Sequence, residues 1–271
     1  MKRALVGAIL TALTATGSLG AQSAPRDSAV IPDNQLFHRS DLLVAGAFAV
    51  ATVALLPADR HLSELARDED LLNNGTLKRL STDVRFFGGP GPFIIGGTMY
   101  LVGRFGHIPR MAELAVHGTE AVVVGSAVAG VIKVAAGRKR PYAAGSNPHD
   151  FGFGRGFRSD TTKSFPSGHA TAAFSAAAAV VAETHEWWPS STWYVAPIMF
   201  GGATAVGLSR MYDNQHWASD VVMGAAIGTF AGLKTVRFNH THTGNRLDQI
   251  LLGTRIVPTA NGTALAWNRS F

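Results

Sequence analysis

The 271-residue sequence contains no cysteine, and charged residues make up only 15% of it. The lack of cysteine excludes disulfide bonds, thiol catalysis and cysteine-ligated metal sites, so stability must come from packing. The charged fraction is well below the roughly 25% of ordinary soluble domains. With 46% hydrophobic residues and 30 glycines, the composition excludes a disordered chain. It favours tightly packed helices rich in glycine and alanine, either in a membrane or in a compact soluble bundle.

The first residues predict a secretory signal peptide over residues 1–23. Lys2 and Arg3 precede an uncharged apolar run, and the small residues Ala21 and Ser23 offer a cleavage site. An uncleaved anchor helix is the alternative. We therefore expect export to the bacterial cell envelope, with a linker at residues 24–40, a helical domain at 41–235 and a C-terminal tail at 236–271.

The positive charge is concentrated in one segment. The whole chain has 24 basic and 18 acidic residues, but seven basic and only two acidic residues lie between Lys133 and Lys163. This distribution indicates a local anionic ligand and argues against a protein that wraps nucleic acid. A solvated basic loop is the alternative explanation.

Six apolar stretches without strict polar–apolar alternation predict six helices. They are Leu42–Ala58, Phe86–Gly103, Leu114–Ile132, Gly168–Ala182, Trp193–Leu208 and Val221–Leu233. Residues 137–168 are rich in glycine, proline and serine, which predicts a long loop of a kind that is usually functional or disordered. In the tail, two alternating runs flank Asn261 and Gly262 and predict a β-hairpin. The predicted fold class is an all-α bundle of about six helices with a short C-terminal β-hairpin.

Two short segments place polar residues at predicted helix ends. In KVAAGRKRP, Lys133 ends the third helix and Arg140 precedes Pro141, which prevents the helix from continuing. In PSGHATAAF, Ser167 is a plausible N-cap of the next helix, so free backbone N–H groups near Gly168 form an anion site. These segments supply cations and backbone donors for an anion.

The third segment, SRMYDNQHWASD, contains Arg210, His216 and Asp220 before an apolar run, where His216 is expected to start the next helix. His216 and Asp220 are four residues apart, so a carboxylate can hold one imidazole nitrogen and leave the other free to attack. With His169 of the second segment, the chain contains the cations, nucleophile and acid that phosphoryl transfer needs. Each segment alone is equally consistent with a structural role.

Together, the three segments resemble the signature motifs of the type 2 phosphatidic acid phosphatase (PAP2) superfamily, complete and in order. The motifs are Lys133-x6-Arg140-Pro141, Pro166-Ser167-Gly168-His169 and Ser209-Arg210-x5-His216-x3-Asp220.

The resemblance implies a role for each motif residue. His216 would form a phosphohistidine, Asp220 would orient it, and His169 would protonate the leaving alcohol and then activate water. The phosphate would be held by Lys133, Arg140, Ser167, Gly168 and Arg210. Neither a metal nor another cofactor is implied, because cationic side chains neutralise the phosphate.

We expect an exported phosphatase for phosphate monoesters or diphosphates, with a lipid-linked substrate such as phosphatidate, phosphatidylglycerol phosphate or polyprenyl diphosphate. The alternatives are a soluble periplasmic non-specific acid phosphatase, a vanadium-dependent haloperoxidase, which the superfamily includes, and a non-catalytic binder of lipid headgroups. The run from Trp187 to Ser209 lacks Asp, Glu, Lys and Arg and exceeds the roughly 20 residues of a membrane span, whereas Val221–Leu233 is shorter. We expect membrane association and no nucleic-acid partner.

Two polar residues fall inside an apolar stretch but outside the motifs. His117 and Glu120 interrupt the third predicted helix. We expect both to be buried and hydrogen-bonded in structural roles.

Overall fold

A computed structural model describes residues 35–145, 147–242, 245–259 and 262–267 of the chain. The predicted signal peptide lies outside this part. In chain order, the helices are α1 Arg39–Leu55, α2 Asp59–Ala66, α3 Glu69–Leu72, α4 Gly75–Arg85, α5 Gly91–Phe105, α6 Pro109–Ala136, α7 Pro141–Ala144, α8 Gly168–Trp187, α9 Thr192–Tyr212, α10 Ala218–Thr241 and α11 Arg246–Leu251.

The six predicted apolar stretches overlap the helices of 15 or more residues, namely α1, α5, α6, α8, α9 and α10. The prediction of about six helices does not include the short helices found in the part of the chain that the structure describes. Helix α4 shows why: its sequence is mostly polar, and Asn74 caps it by accepting hydrogen bonds from the backbone of Thr76 and Leu77. A search for apolar stretches does not detect helices of this kind. The long α10 continues to Thr241, past the predicted domain end at residue 235.

Helices α8 and α10 pack closely at the centre of the bundle, because small residues line both. Gly224, Gly228 and Gly232 recur every fourth residue on the face of α10 that meets α8. A Cβ atom at Gly228 would lie 2.4 Å from the carbonyl oxygen of Thr171, and one at Gly224 would lie 2.5 Å from that of Ser167. Such distances exclude any side chain. The close approach brings the start of α8 against the start of α10.

Three helical segments of the described part are long and apolar enough to cross a membrane: residues 39–66, 109–144 and 218–241. Large apolar side chains are exposed on them, including Leu42, Val50 and Val131. These features indicate that the chain is membrane-associated. Val221–Leu233 alone is shorter than a span, but it belongs to α10, which has 24 residues.

The run from Trp187 to Ser209 does not form one helix. Trp187 ends α8, residues Pro189–Ser191 form a 3-10 turn, and α9 begins at Thr192. Pro189 lacks an amide hydrogen and so favours the end of α8 before it.

Two C-terminal strands, β1 Thr254–Thr259 and β2 Gly262–Trp267, pair antiparallel. Thr254 is opposite Trp267, and Thr259 is opposite Gly262. They lie where the alternating runs predict a hairpin, while Asn261 of the predicted turn lies outside the described residues.

Candidate active site

The three polar segments meet at one end of the bundle. This end is formed by the C-termini of α6 and α9 and the N-termini of α8 and α10. Backbone hydrogen bonds join the segments: Ser167 N donates to the carbonyl of Asp220 over 2.9 Å, and Ser164 N donates to the carbonyl of Arg138 over 3.0 Å. The residues from Gly137 to Ser167 therefore connect α6 to α8 across the start of α10.

Asp220 has a fixed position in the first turn of α10. Its Oδ2 accepts hydrogen bonds from Trp217 N over 2.9 Å and from Ser164 Oγ over 2.5 Å. Its Oδ1 accepts one from Arg138 Nη1 over 2.6 Å. His216 Nδ1 lies 3.6 Å from Asp220 Oδ2, with 2% and 0% of the two side chains exposed. The carboxylate of Asp220 thus faces His216 Nδ1 at slightly more than hydrogen-bond distance, and this buried Nδ1 has no hydrogen-bond partner among the described residues.

His216 is not part of α10, contrary to the sequence prediction. The helix begins at Ala218 with Trp217 as its N-cap, and the carboxylate of Asp220 takes the capping hydrogen bond. His216 therefore lies in the turn between α9 and α10, where its backbone N–H donates to the carbonyl of Arg210.

His169 occupies the first turn of α8. The predicted N-cap role of Ser167 is confirmed, since its Oγ accepts a hydrogen bond from Ala170 N over 3.4 Å. Two glycines of the segment between α4 and α5 let that segment approach His169 closely. A Cβ atom at Gly89 would lie 3.5 Å from His169 Nε2, and one at Gly88 would lie 2.7 Å from the His169 carbonyl. His169 is thus held between that segment and the other motifs.

Three cationic side chains converge on the same place. A Cβ atom at Gly168 would lie 3.3 Å from Lys133 Nζ, so the lysine reaches the start of α8. Arg140 Nη1 donates to Gln215 Oε1 over 2.5 Å. Arg210 Nη1 donates to Asp213 Oδ2 over 2.8 Å, while its buried Nε has no hydrogen-bond partner in the described structure. Such an unpaired buried donor is suited to an anionic ligand.

The electrostatic environment keeps both histidines neutral. Burial, together with the charges of Arg210, Lys133 and Arg140, lowers the pKa of His169 to about 3. The pKa of His216 is lowered to about 4 because burial and the charges of Lys133 and Arg140 outweigh the opposing effect of Asp220. A neutral imidazole has a free lone pair on one ring nitrogen, which a nucleophile requires.

These shifts make stability dependent on pH. Both histidines have a pKa below the ordinary 6.5 in the folded chain, so the unfolded chain binds more protons in acid. The stability that depends on these two groups is fully present above about pH 6.5 and is lost as pH falls towards 4, by on the order of 3 kcal/mol for each histidine. We expect the melting temperature to fall over this range more steeply in the wild type than in His216→Gln. Equal slopes of melting temperature against pH in the two proteins would contradict the conclusion that the buried His216 is neutral.

The sequence analysis missed a buried network behind Asp220. Arg138 is fully buried; its Nη1 donates to Asp220 Oδ1 and to Ser219 Oγ, and its Nη2 donates to Asp59 Oδ2 over 2.7 Å. Ser219 N also donates to Asp59 Oδ1 over 2.9 Å. Arg138 was counted only within the basic segment, although it lies two residues before Arg140. Asp59 has no comparable sequence signal. This network fixes the position of the Asp220 carboxylate through contacts that do not involve His216.

Comparisons with known proteins identify a family model and a relative that this chain resembles. The family model described as the PAP2 superfamily matches residues 115–243. The chain is 40% identical over 88 residues to the lipid A 1-phosphatase of Porphyromonas gingivalis; the match covers 32% of this chain and 19%, about a fifth, of that protein.

Among solved structures, the chain resembles the crystal structure of a transmembrane PAP2-type phosphatidylglycerolphosphate phosphatase from Bacillus subtilis. The TM-score is 0.51 at 20% identity, and the match covers 77% of this chain and 99% of that one. At this identity the likeness concerns the fold.

Proposed function

We propose that this chain is a member of the PAP2 superfamily, whose family model matches residues 115–243, and that it is a membrane phosphatase for lipid-linked phosphate esters that works through a phosphohistidine at His216. The observation that supports this most is the buried His216 beside Asp220, in a pocket shared with His169 and three cationic side chains. Its nucleophile, acid and anion-binding groups are the parts that phosphoryl transfer requires.

In the proposed first step, Lys133, Arg140 and Arg210 hold the phosphate oxygens, with the N-terminus of α8 at Gly168 as a further donor. His216 Nε2 attacks phosphorus, so a P–N bond forms while the P–O bond to the alcohol breaks. His169 gives its proton to the leaving oxygen.

In the second step, neutral His169 takes a proton from water, whose oxygen attacks phosphorus. The P–N bond breaks, inorganic phosphate is released and His216 returns to its starting state. His169 thus acts as acid and then as base.

The neutral His169 of the free enzyme is compatible with its acid role. Burial and nearby cations lower its pKa, and a phosphate dianion would cancel much of that positive potential. The substrate would therefore bring the charge that lets His169 carry a proton. We propose that cationic side chains provide the charge neutralisation in this site and that phosphate release persists in a chelator.

A lipid-linked substrate is supported by an apolar cavity of about 400 Å³ beside the pocket. Its lining includes Phe87, Ala173, Ala177, Gly202 and Val206, from α8, α9 and the segment after α4. Val206 and the backbone of His169 both lie against Gly88, so the cavity adjoins the catalytic end. We propose that it receives part of an acyl chain while the phosphate enters the pocket.

Filling this cavity is expected to weaken the binding of long-chain lipid substrates but not that of short soluble ones. A Cβ atom at Gly202 meets no atom within 4 Å, so the side chain of Gly202→Phe can begin there without a clash at its Cβ atom. We expect KM for a long-chain phosphatidate to rise at least about tenfold, the cost of leaving roughly two methylenes unburied, while a short soluble phosphate ester is hydrolysed as before. Phosphate release from the two substrates measures the difference.

Gly201→Phe is the matched control, because Gly201 is equally open but does not line the cavity. Equal effects of Gly202→Phe on both substrates, or no effect on either, would contradict the acyl-chain assignment.

Phosphate release compared with halide oxidation in added vanadate separates a phosphatase from a haloperoxidase. Halide oxidation without phosphate release would overturn the proposed function.

A further inference from the structure

A second cluster of histidines and carboxylates lies at the other end of the bundle. Glu113 and His117 are near the start of α6, Glu183 is near the end of α8 and His240 is near the end of α10. Their nitrogen and oxygen ligand atoms all lie within 4.8 Å of one another. At about 1.5 Å per residue, the helices separate them by roughly 20–30 Å from the phosphate pocket. The PAP2 motifs do not account for this cluster.

Glu183 is the centre of the cluster. Its side chain is fully buried; Oε1 contacts His117 Nδ1, and Oε2 lies 2.9 Å from His240 Nε2. The opposite ring nitrogen of His117, Nε2, lies 3.3 Å from Asp248 Oδ2 of α11. One ring nitrogen of His117 thus faces the other cluster members, and the second faces an outer carboxylate.

The charges around the cluster do not balance. Four carboxylates, those of Glu113, Glu120, Glu183 and Asp248, surround two imidazoles. Among the ion pairs between described residues, none joins a lysine or arginine to any of them. In addition, Glu120 Oε1 and Asp248 Oδ1 are buried and have no hydrogen-bond partner there. An excess of carboxylates over cationic partners, one of them fully buried, together with unpaired acceptor atoms, favours a bound cation.

We propose that Glu113, His117, Glu183 and His240 bind one divalent transition-metal ion, of which Zn²⁺ fits best. Two imidazole nitrogens and two carboxylate oxygens form a tetrahedral set with metal–ligand distances of about 2.0–2.2 Å. The contacts of Glu183 with the two histidines are then replaced by bonds to the ion. His117 binds through Nδ1 and donates its Nε2–H to Asp248, the carboxylate–histidine–metal arrangement common in zinc sites.

The proposed ion can reach its site from solvent, and its binding would connect three helices of the bundle. The side chain of His240 is 31% exposed, so the site opens at the surface of the bundle. The four ligands come from α6, α8 and α10, and Asp248 adds α11. These helices also carry Lys133, His169 and, at the start of α10, Asp220. The metal therefore fastens the bundle at the end remote from the chemistry.

The test uses the full chain, purified in detergent and dialysed against EDTA and then against buffer. Addition of Zn²⁺ is expected to give one tightly bound ion per chain by elemental analysis. At a free concentration about a hundred times the dissociation constant, we expect the melting temperature to rise by about 5–10 °C. The initial rate of phosphate release at low temperature is expected to stay the same, which separates this site from the proposed catalytic function.

Variants distinguish a metal site from an ion-pair network. His240→Ala and Glu113→Gln are expected to weaken Zn²⁺ binding at least about 100-fold and to lose the zinc-dependent rise in melting temperature. The matched control is His242→Ala, since His242 stacks on Phe238 outside the cluster. The proposal is overturned if the wild type binds none of Zn²⁺, Co²⁺, Ni²⁺ and Mn²⁺ stoichiometrically. It is also overturned if His240→Ala and His242→Ala show the same zinc-dependent rise.

Discussion

Replacing His216 with alanine is expected to lower kcat for phosphate release by at least about 10⁴-fold, as loss of a nucleophile does in enzymes that form covalent intermediates. No other imidazole of the pocket can take its place in the proposed reaction, because His169 is needed to protonate the leaving oxygen. The substrate should still bind, since Lys133, Arg140 and Arg210 remain. A steady-state phosphate assay at saturating substrate measures the effect.

The fold of His216→Ala is expected to survive. Asp220 keeps its hydrogen bonds to Trp217 N, Ser164 and Arg138, which do not involve His216. The melting temperature serves as the check, and His185→Ala is the control, because His185 is distant in sequence from the motifs and its ring bonds only to Thr192 among the described residues. Turnover within tenfold of the wild type would mean that water attacks phosphorus directly.

The second large effect is expected from His169→Ala, and it should depend on the leaving group. A general acid contributes roughly 10²–10⁴-fold when the departing oxygen is strongly basic, as in an alkyl phosphate, and much less when it is weakly basic, as in a nitrophenyl phosphate. We therefore expect a loss in kcat/KM of about 10³-fold for the alkyl ester and about tenfold for the aryl ester. Parallel assays of the two esters measure the ratio.

His169→Gln provides a second variant for the same test. Glutamine fills the space beside Gly89 without supplying a proton, so the leaving-group dependence should remain if the role is acid catalysis. A uniform loss for both esters in both variants would indicate that His169 positions the substrate and does not donate a proton.

The sequence anticipated the long helices and the grouping of the motif residues for a physical reason. The residues of long apolar runs are either buried in the bundle or face lipid, so such runs can be recognised from composition alone. Each of them overlaps a long helix. Ser167 caps α8 as predicted, whereas α6 ends at Ala136 before Gly137 in the left-handed conformation, and Pro141 begins the short α7 and does not end α6. These ends converge on the pocket.

Other features depend on contacts between distant parts of the chain and could not be read from one sequence. Asp59 reaches Ser219 across 160 positions, and nothing in its surroundings predicts that contact. His117 is buried and hydrogen-bonded, as predicted, whereas Glu120 is hydrogen-bonded to Asn239 but only partly buried. Its proximity to Glu183 and His240 appears only once α6, α8 and α10 are packed together.

Capture of the covalent intermediate tests the central claim most directly. The chain would be mixed with ³²P-labelled phosphatidate, quenched within milliseconds in alkali, in which phosphohistidine survives, and digested for peptide mapping. We predict one labelled phosphate per chain, on the peptide that contains His216, and no label in His216→Ala. Rapid turnover with no trapped label, or a label on the peptide that contains His169, would contradict the account.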